Sequence, residues 1–330
     1  MGGTRIGALL LALALGWSAA ARAEPVRVVA TFSILGDLVR QVGGVRVATT
    51  TLVGPNGDAH SFVPAPADAQ AVAADRAYLK GKPQEGMYPL MYYPHNIHFL
   101  LYARGAQGQC AEAAAAGKDL VAQVAPGLDA MPMLQGFVAY VYQLSVWCPS
   151  VPLAAPPAPK YALATVAYQY AKGTRAAWAK DVAGARAALA ALREAAKGVV
   201  PETIYEPAYT KAYLTVAEES LLARIADASG DLAAAVRHWR TAVAAQDTLR
   251  YDEPPIWFYQ VRQSLGAALL RAGQREEAAV VLRESLRQQR RDPRALFLLM
   301  KSLAGREADL VRAEFEALWK GTLDLKVEEL

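Results

Sequence analysis

"LLARIADASGDLAAAVRHWRTAV" (221–243) and "SLGAALLRAGQREEAAVVLRESL" (264–286) align without a gap, and their common pattern decides the fold. Aligned on the turns Gly230-Asp231 and Gly273-Gln274, the two stretches are small and large at the same places. Ala223 and Gly266 stand seven residues before the turn glycine, and Ala235 and Ala278 five after it. Trp239 and Leu282 follow at nine, Ala242 and Ser285 at twelve. Small residues let two antiparallel helices approach closely, larger ones fill the gap toward the next pair, and glycine permits the tight turn. The pattern predicts a stack of helical hairpins.

The turn glycines are 43 residues apart, which is a 34-residue period with a nine-residue insertion inside "QDTLRYDEPPIWF" (246–258). That period and this small-small-large-small order resemble the tetratricopeptide repeat (TPR). Further units run through Gly173, Ala185 and Leu189, and through "HFLLYARGAQGQCAEAAAAGKDL" (98–120) with Gly108 at the turn and Ala113 at the small position. "LQGFVAYVYQLSVW" (134–147) reads as a degenerate unit, and the pair after Pro293 as a polar-faced terminal cap. More narrowly, "AADRAYL" (73–79), "YPLMYYPHNIHFL" (88–100) and "YDEPPIWFYQVRQSLGAALLRAGQREEA" (251–278) resemble the C-terminal half of a bacterial family of TPR proteins.

The N-terminal texture is different. Arg5, the apolar "IGALLLALALGWSAA" (6–20) and Ala21-Arg22-Ala23 read as a secretory signal cleaved after Ala23. "VRVVAT" (26–31) and "VRVATTTLV" (45–53) are β-branched runs suited to strands. Between them "SILGDLVRQVGG" (33–44) has apolar residues at helical spacing and a glycine stop. Strand, helix and strand make one βαβ unit with parallel strands. "VRVVATFSILGDLVRQVGG" (26–44) and "TTLVGPNGDAHSFVPAPADAQAVAADR" (50–76) resemble the N-terminus of periplasmic substrate-binding proteins of zinc and manganese ABC transporters. The resemblance implies that His60, in the Asp-x-His loop, is the first metal ligand. Gly43-Gly44-Val45 is one residue shorter than the family's pattern, which bears on the register of the second strand. The further ligands of that family have no recognisable counterpart, and the two resemblances meet at about residue 74.

The expected architecture is therefore mainly α: a TPR-like α-solenoid of about four to five helix-turn-helix repeats with a small N-terminal βαβ fragment. Its parts are a signal peptide (1–23), a truncated α/β segment (24–75), repeats (76–148), a Pro-rich linker (149–159) and repeats with a C-terminal cap (160–330). The linker, "PSVPLAAPPAP", carries five prolines, which forbid a helix interior.

Composition excludes several functions. The net charge is +4, and loss of Arg5 and Arg22 with the leader brings it to +2, which is no footprint for nucleic acid. The densest basic run, "RESLRQQRRDPR" (283–294), reads as a solvated helix face. Past the leader no stretch is long and apolar enough to span a membrane. No nucleophile elbow, His-Glu-x-x-His pair, phosphate loop or dinucleotide fingerprint is present, so a non-enzymatic protein is expected.

Solenoids present concave grooves that bind peptides or protein surfaces. The first functional reading is an exported scaffold for protein–protein interaction with no cofactor, carrying a remnant of a metal-transport receptor. Tyr92, Tyr93, Tyr168, Tyr170 and Trp257 are its candidate groove aromatics, each weighed against a place in the core. The alternative is a zinc- or manganese-binding component of a metal ABC transporter using His60. His95 and His98, three apart and so on one helical face, are candidates to complete that site. The two cysteines, Cys110 and Cys148, are expected to be free, because stacked helices lie about 10 Å apart and a disulfide needs Cα atoms within about 7 Å.

Overall fold

The computed structural model describes residues 24–53, 66–204, 207–249, 252, 254–321 and 325–330. Contacts divide the chain into two units, Met1–Ala59 and His60–Leu330.

In the first unit β1 (Val26–Phe32) is followed by α1 (Ser33–Gly43) and β2 (Val47–Val53), and the strands pair in parallel from Val26↔Val47 to Phe32↔Val53. The second strand starts two residues later than its β-branched run suggests. Gly44, at φ 50°, opens a 3₁₀ turn over Gly44–Arg46 that consumes Val45 and Arg46. Gly36 lies where α1 crosses β2; a Cβ there would fall on the Thr51 methyl, so the close crossing requires glycine.

The second unit is helical. It runs α2 (Pro66–Leu79), α3 (Tyr93–Ala106), α4 (Cys110–Val124), α5 (Gln135–Trp147), α6 (Ala162–Trp178), α7 (Val182–Ala196) and α8 (Pro207–Ala228). It continues with α9 (Leu232–Gln246), α10 (Arg262–Arg271), α11 (Arg275–Gln288), α12 (Pro293–Ser302) and α13 (Gly305–Leu318). The chain as a whole is thus mostly helical with one two-stranded sheet among its described residues. Pairs α3/α4, α6/α7, α8/α9, α10/α11 and α12/α13 each pack as a hairpin. The turn residues Gly108, Gly230 and Gly273 are left-handed, at φ 78°, 83° and 76°. Lys180 takes the same place between α6 and α7 at φ 61°, which explains why glycine spacing alone left that hairpin's turn unmarked. The small positions of the repeat pattern lie at the closest approaches: Ala223, Ala235, Ala242 and Ala278 are wholly buried, and a Cβ on Gly266 would sit 2.7 Å from Leu282.

The reading of the basic run is corrected. The basic run 283–294 is not one solvated face: α11 stops at Gln288, Arg291 turns left-handed at φ 59°, and Arg294 is 1% exposed. In the pair after Pro293, α12 is buried over Pro293–Met300 and α13 faces outward. The reason is tertiary. Arg294 donates to the carbonyl oxygens of Gly105 and Ala106, both at 3.0 Å, and Gln289 bonds the Tyr102 hydroxyl, so α12 is laid against α3. The earliest and latest hairpins of the unit therefore meet, and contacts are not confined to sequence neighbours.

Cys110 and Cys148 are joined in a disulfide, with Cα atoms 5.5 Å apart, and are not free. The 10 Å expectation measured axis to axis. Cys110 opens α4 and Cys148 caps α5, and the second of two consecutive antiparallel helices ends beside the start of the first, where the chains converge.

The Pro-rich stretch 149–159 contains no helix, and it lies along the bundle. Tyr142 donates to the Ala155 carbonyl at 2.7 Å, and Arg175 to that of Val151 at 2.5 Å. The last described residues, 325–330, also pack inward: Arg271 donates to the Val327 carbonyl at 2.6 Å, and Ser264 to the Leu330 main-chain oxygen at 2.9 Å.

Candidate functional site

The N-terminus of α3 and that of α5 flank a cleft of about 300 Å³ in the helical unit. Pro89 and Pro94 remove backbone donors at the start of α3, and the chain enters it through a single π turn, Tyr88–Tyr92. That turn places Met87, Met91 and Tyr92 at the cleft. One helical face of α3 adds His95 and His98; Gly136, Phe137 and Tyr140 come from α5. Leu163 of α6, Thr203, Tyr213 of α8, Asp252, Pro254 and Ile256 also line it.

Two of these side chains are unusual. His98 is buried, with its ring edge-on to Tyr140 at 4.0 Å and to Phe137 at 5.5 Å. Burial, and less so neighbouring His95, pushes its imidazole down to about 3, so it is neutral at ordinary pH. Its Nε2 has no hydrogen-bond partner, and neither has the hydroxyl of buried Tyr140. Leaving such groups unpaired costs about 1–3 kcal/mol each. His95 is half-buried against Phe99 at 4.8 Å; burial lowers its pKa while Asp252 opposes the shift.

The other expected site residues fall in different places. Tyr170 and Trp257 are 0% and 1% exposed, packed edge to face at 5.0 Å in the core, and Tyr93 is 7% exposed with its hydroxyl accepting from Arg76. These three are corrected from groove to core. Tyr168 is half-buried on Tyr142, and Tyr92 remains open at 59%. His238 bonds Glu219 at 2.7 Å between α9 and α8. His60 lies outside the described residues. Among the described residues no three His, Cys, Asp or Glu side chains are arranged to hold a metal ion, so His95 and His98 have no third donor of those types there. Also among them, no helix is long and apolar enough to cross a membrane.

Sequence reasoning missed Tyr140 and Phe137, which look like ordinary core residues in an apolar helix. One signal was available: of six methionines in the chain, Met87, Met91 and Met133 line this cleft, and methionine suits adaptable apolar surfaces.

Comparison with known proteins bears on the N-terminal part. Residues 28–84 match the family of the zinc-uptake complex component A, periplasmic. The manganese-binding lipoprotein MntA of Halalkalibacterium halodurans is 39% identical over 59 residues, covering 18% of this chain. The chain thus spans about a fifth of that relative's length. No solved structure matches. The family match ends at residue 84, ahead of α3, so it takes in the βαβ segment and α2 but not the cleft.

Proposed function

We propose that this chain is an exported, non-catalytic binding protein. Its helical unit is a stack of TPR-like hairpins that holds a protein or peptide partner, and its N-terminal segment derives from a metal-transport receptor. The observation that carries the reading is the repeated hairpin, with a left-handed residue at Lys180, Gly230 and Gly273 and a small residue seven before it at Gly173, Ala223 and Gly266. Such repeats build surfaces, and surfaces bind. Tyr92 is the candidate aromatic still exposed for that role.

A photo-crosslinking residue at Tyr92 in producing cells should give one discrete adduct, whereas the same residue at Val280, 64% exposed on α11, should give none. Equal labelling from both positions would defeat the reading.

The second reading, a zinc- or manganese-binding component of an ABC importer, is favoured by the match over 28–84 and by a relative named as manganese-binding. In it His60 is the first ligand. A strong site needs three or four donors converging at about 2.0–2.3 Å, and the described donors do not supply that set. Calorimetric titration of the protein and of His60→Ala with Zn²⁺ and Mn²⁺ separates the two readings. The scaffold reading expects the same weak response from both proteins; a stoichiometric, submicromolar site lost in His60→Ala would put metal transport first.

A further inference from the structure

We propose that the cleft between α3 and α5 is a binding site for an uncharged, largely apolar small molecule bearing one hydroxyl or carbonyl group. This goes beyond the partner-binding reading and does not depend on it.

The volume is sufficient. About 300 Å³ lies at the lower end of small-molecule sites, and equals the liquid share of about ten waters. The wall is built for apolar contact, with Phe137 and Leu163 beside the adaptable Met91 and Met133. Methionine flexibility lets such a wall fit ligands of slightly different outline.

The second observation concerns polarity. His98 and Tyr140 both line the cleft, and each carries a polar atom, Nε2 and the phenolic oxygen, screened from solvent and without a partner. Buried polar atoms are nearly always hydrogen-bonded, and these two unpaired atoms belong to neighbouring residues of one cleft wall. A ligand hydroxyl can both donate and accept, and a carbonyl can accept from either group. Charge is selected against. The cleft contains no Lys or Arg among its described lining residues, so a carboxylate would find no counter-ion and would face Asp252. An ion brought into an apolar wall without a partner loses far more solvation than a hydroxyl does.

Gly136 gives the decisive variant. It lines the cleft, and a Cβ built there meets nothing within 4 Å. A side chain can therefore leave the backbone at this cleft-lining position without pressing on a neighbour at its Cβ, and Gly136→Leu is chosen to fill cleft space. The purified protein is titrated calorimetrically with 1-naphthol, 4-butylphenol and 1-octanol, and with 1-methylnaphthalene, 1-naphthoate and 1-naphthylmethylammonium as controls. At least one hydroxylated probe should bind saturably with one-to-one stoichiometry, and binding should vanish in Gly136→Leu while its melting temperature stays equal or rises. For that probe, His98→Leu should weaken binding about tenfold; the hydroxyl-free control should bind more weakly to the wild type and be unaffected by His98→Leu. Met133→Trp, which narrows the same cleft from another element, should reproduce the Gly136→Leu loss. Absence of saturable binding by all three hydroxylated probes would overturn the proposal. So would binding that survives Gly136→Leu and Met133→Trp, or charged probes binding as tightly as 1-naphthol.

Discussion

Arg294 holds its guanidinium 4.5 Å from the centre of the Trp147 ring and donates a 3.2 Å hydrogen bond to the same residue's carbonyl oxygen. With the carbonyls of Gly105 and Ala106 this buried cation fastens α12 to the ends of α3 and α5. Burial lowers its pKa to about 10, partly offset by Asp292 and Tyr102, so it stays charged at neutral pH. Arg294→Met should remove the donors and leave three helix-terminal carbonyls facing an apolar side chain. The expected loss is about 3–5 kcal/mol, read as a lowered urea midpoint at unchanged slope. A loss below about 1 kcal/mol would show that α12 docks without it.

The disulfide makes a second prediction. Cys110 and Cys148 are 38 residues apart, and closing a loop of that size removes about 3–4 kcal/mol of unfolded-chain entropy. The denatured, unreduced protein should show no titratable thiol, and reduction should lower stability by about that amount. Two free thiols would contradict the pairing.

Glycines with opposite surroundings should respond oppositely. At Gly266 a Cβ would press on Leu282 at 2.7 Å, whereas at Gly136 it meets open space. Gly266→Ala should destabilise by about 1–3 kcal/mol through overpacking, and Gly136→Ala, in the first turn of α5, should stabilise by at most about 0.5–1 kcal/mol. Thermal melts of both variants check this; the same sign for both would refute the close-approach argument.

His98 should make stability fall with acid. Its imidazole is held down to about 3 by burial and by His95, while in the unfolded chain it binds a proton below about 6.5. The favourable neutral state is thus fully matched above about 6.5, and stability drops as pH falls from there toward 3, by up to about 1.4 kcal/mol per pH unit. His95 and Asp252 sit nearby with opposing influence on the local charge. Urea unfolding between pH 7 and 4 should show a shallower decline for His98→Phe than for the wild type; parallel declines would exclude His98 as the cause.

The βαβ segment should be the weaker part. Two strands and one helix bury too little apolar surface for independent stability. Amide exchange should be faster across residues 28–53 than across 260–285, and equal protection would refute the expectation.

Local chemistry was readable before any coordinates. The β-branched runs gave β1 and β2 to within two residues, because strand preference is carried by the side chains themselves. Gly230 and Gly273 marked two hairpins, since few other residues accept a left-handed turn, and the same rule passed over Lys180, which accepts it at some strain. The histidines at 95 and 98 were correctly placed on one face of α3.

What lay beyond the sequence was every contact between residues far apart along it. That Arg294 would leave a basic run to be buried on Trp147 depends on α12 returning to α3, nearly 190 residues earlier, and no periodicity encodes that closure. The same holds for Tyr170 and Trp257, which pair in the core from distant segments, and for the converging helix ends that bring Cys110 to Cys148. His98 and Tyr140 became a site only when α3 and α5 were set side by side. Helix and turn preferences act over a few residues, and so a sequence reveals its elements; burial and unpaired polarity are properties of the assembled surfaces, and tertiary packing alone decides them.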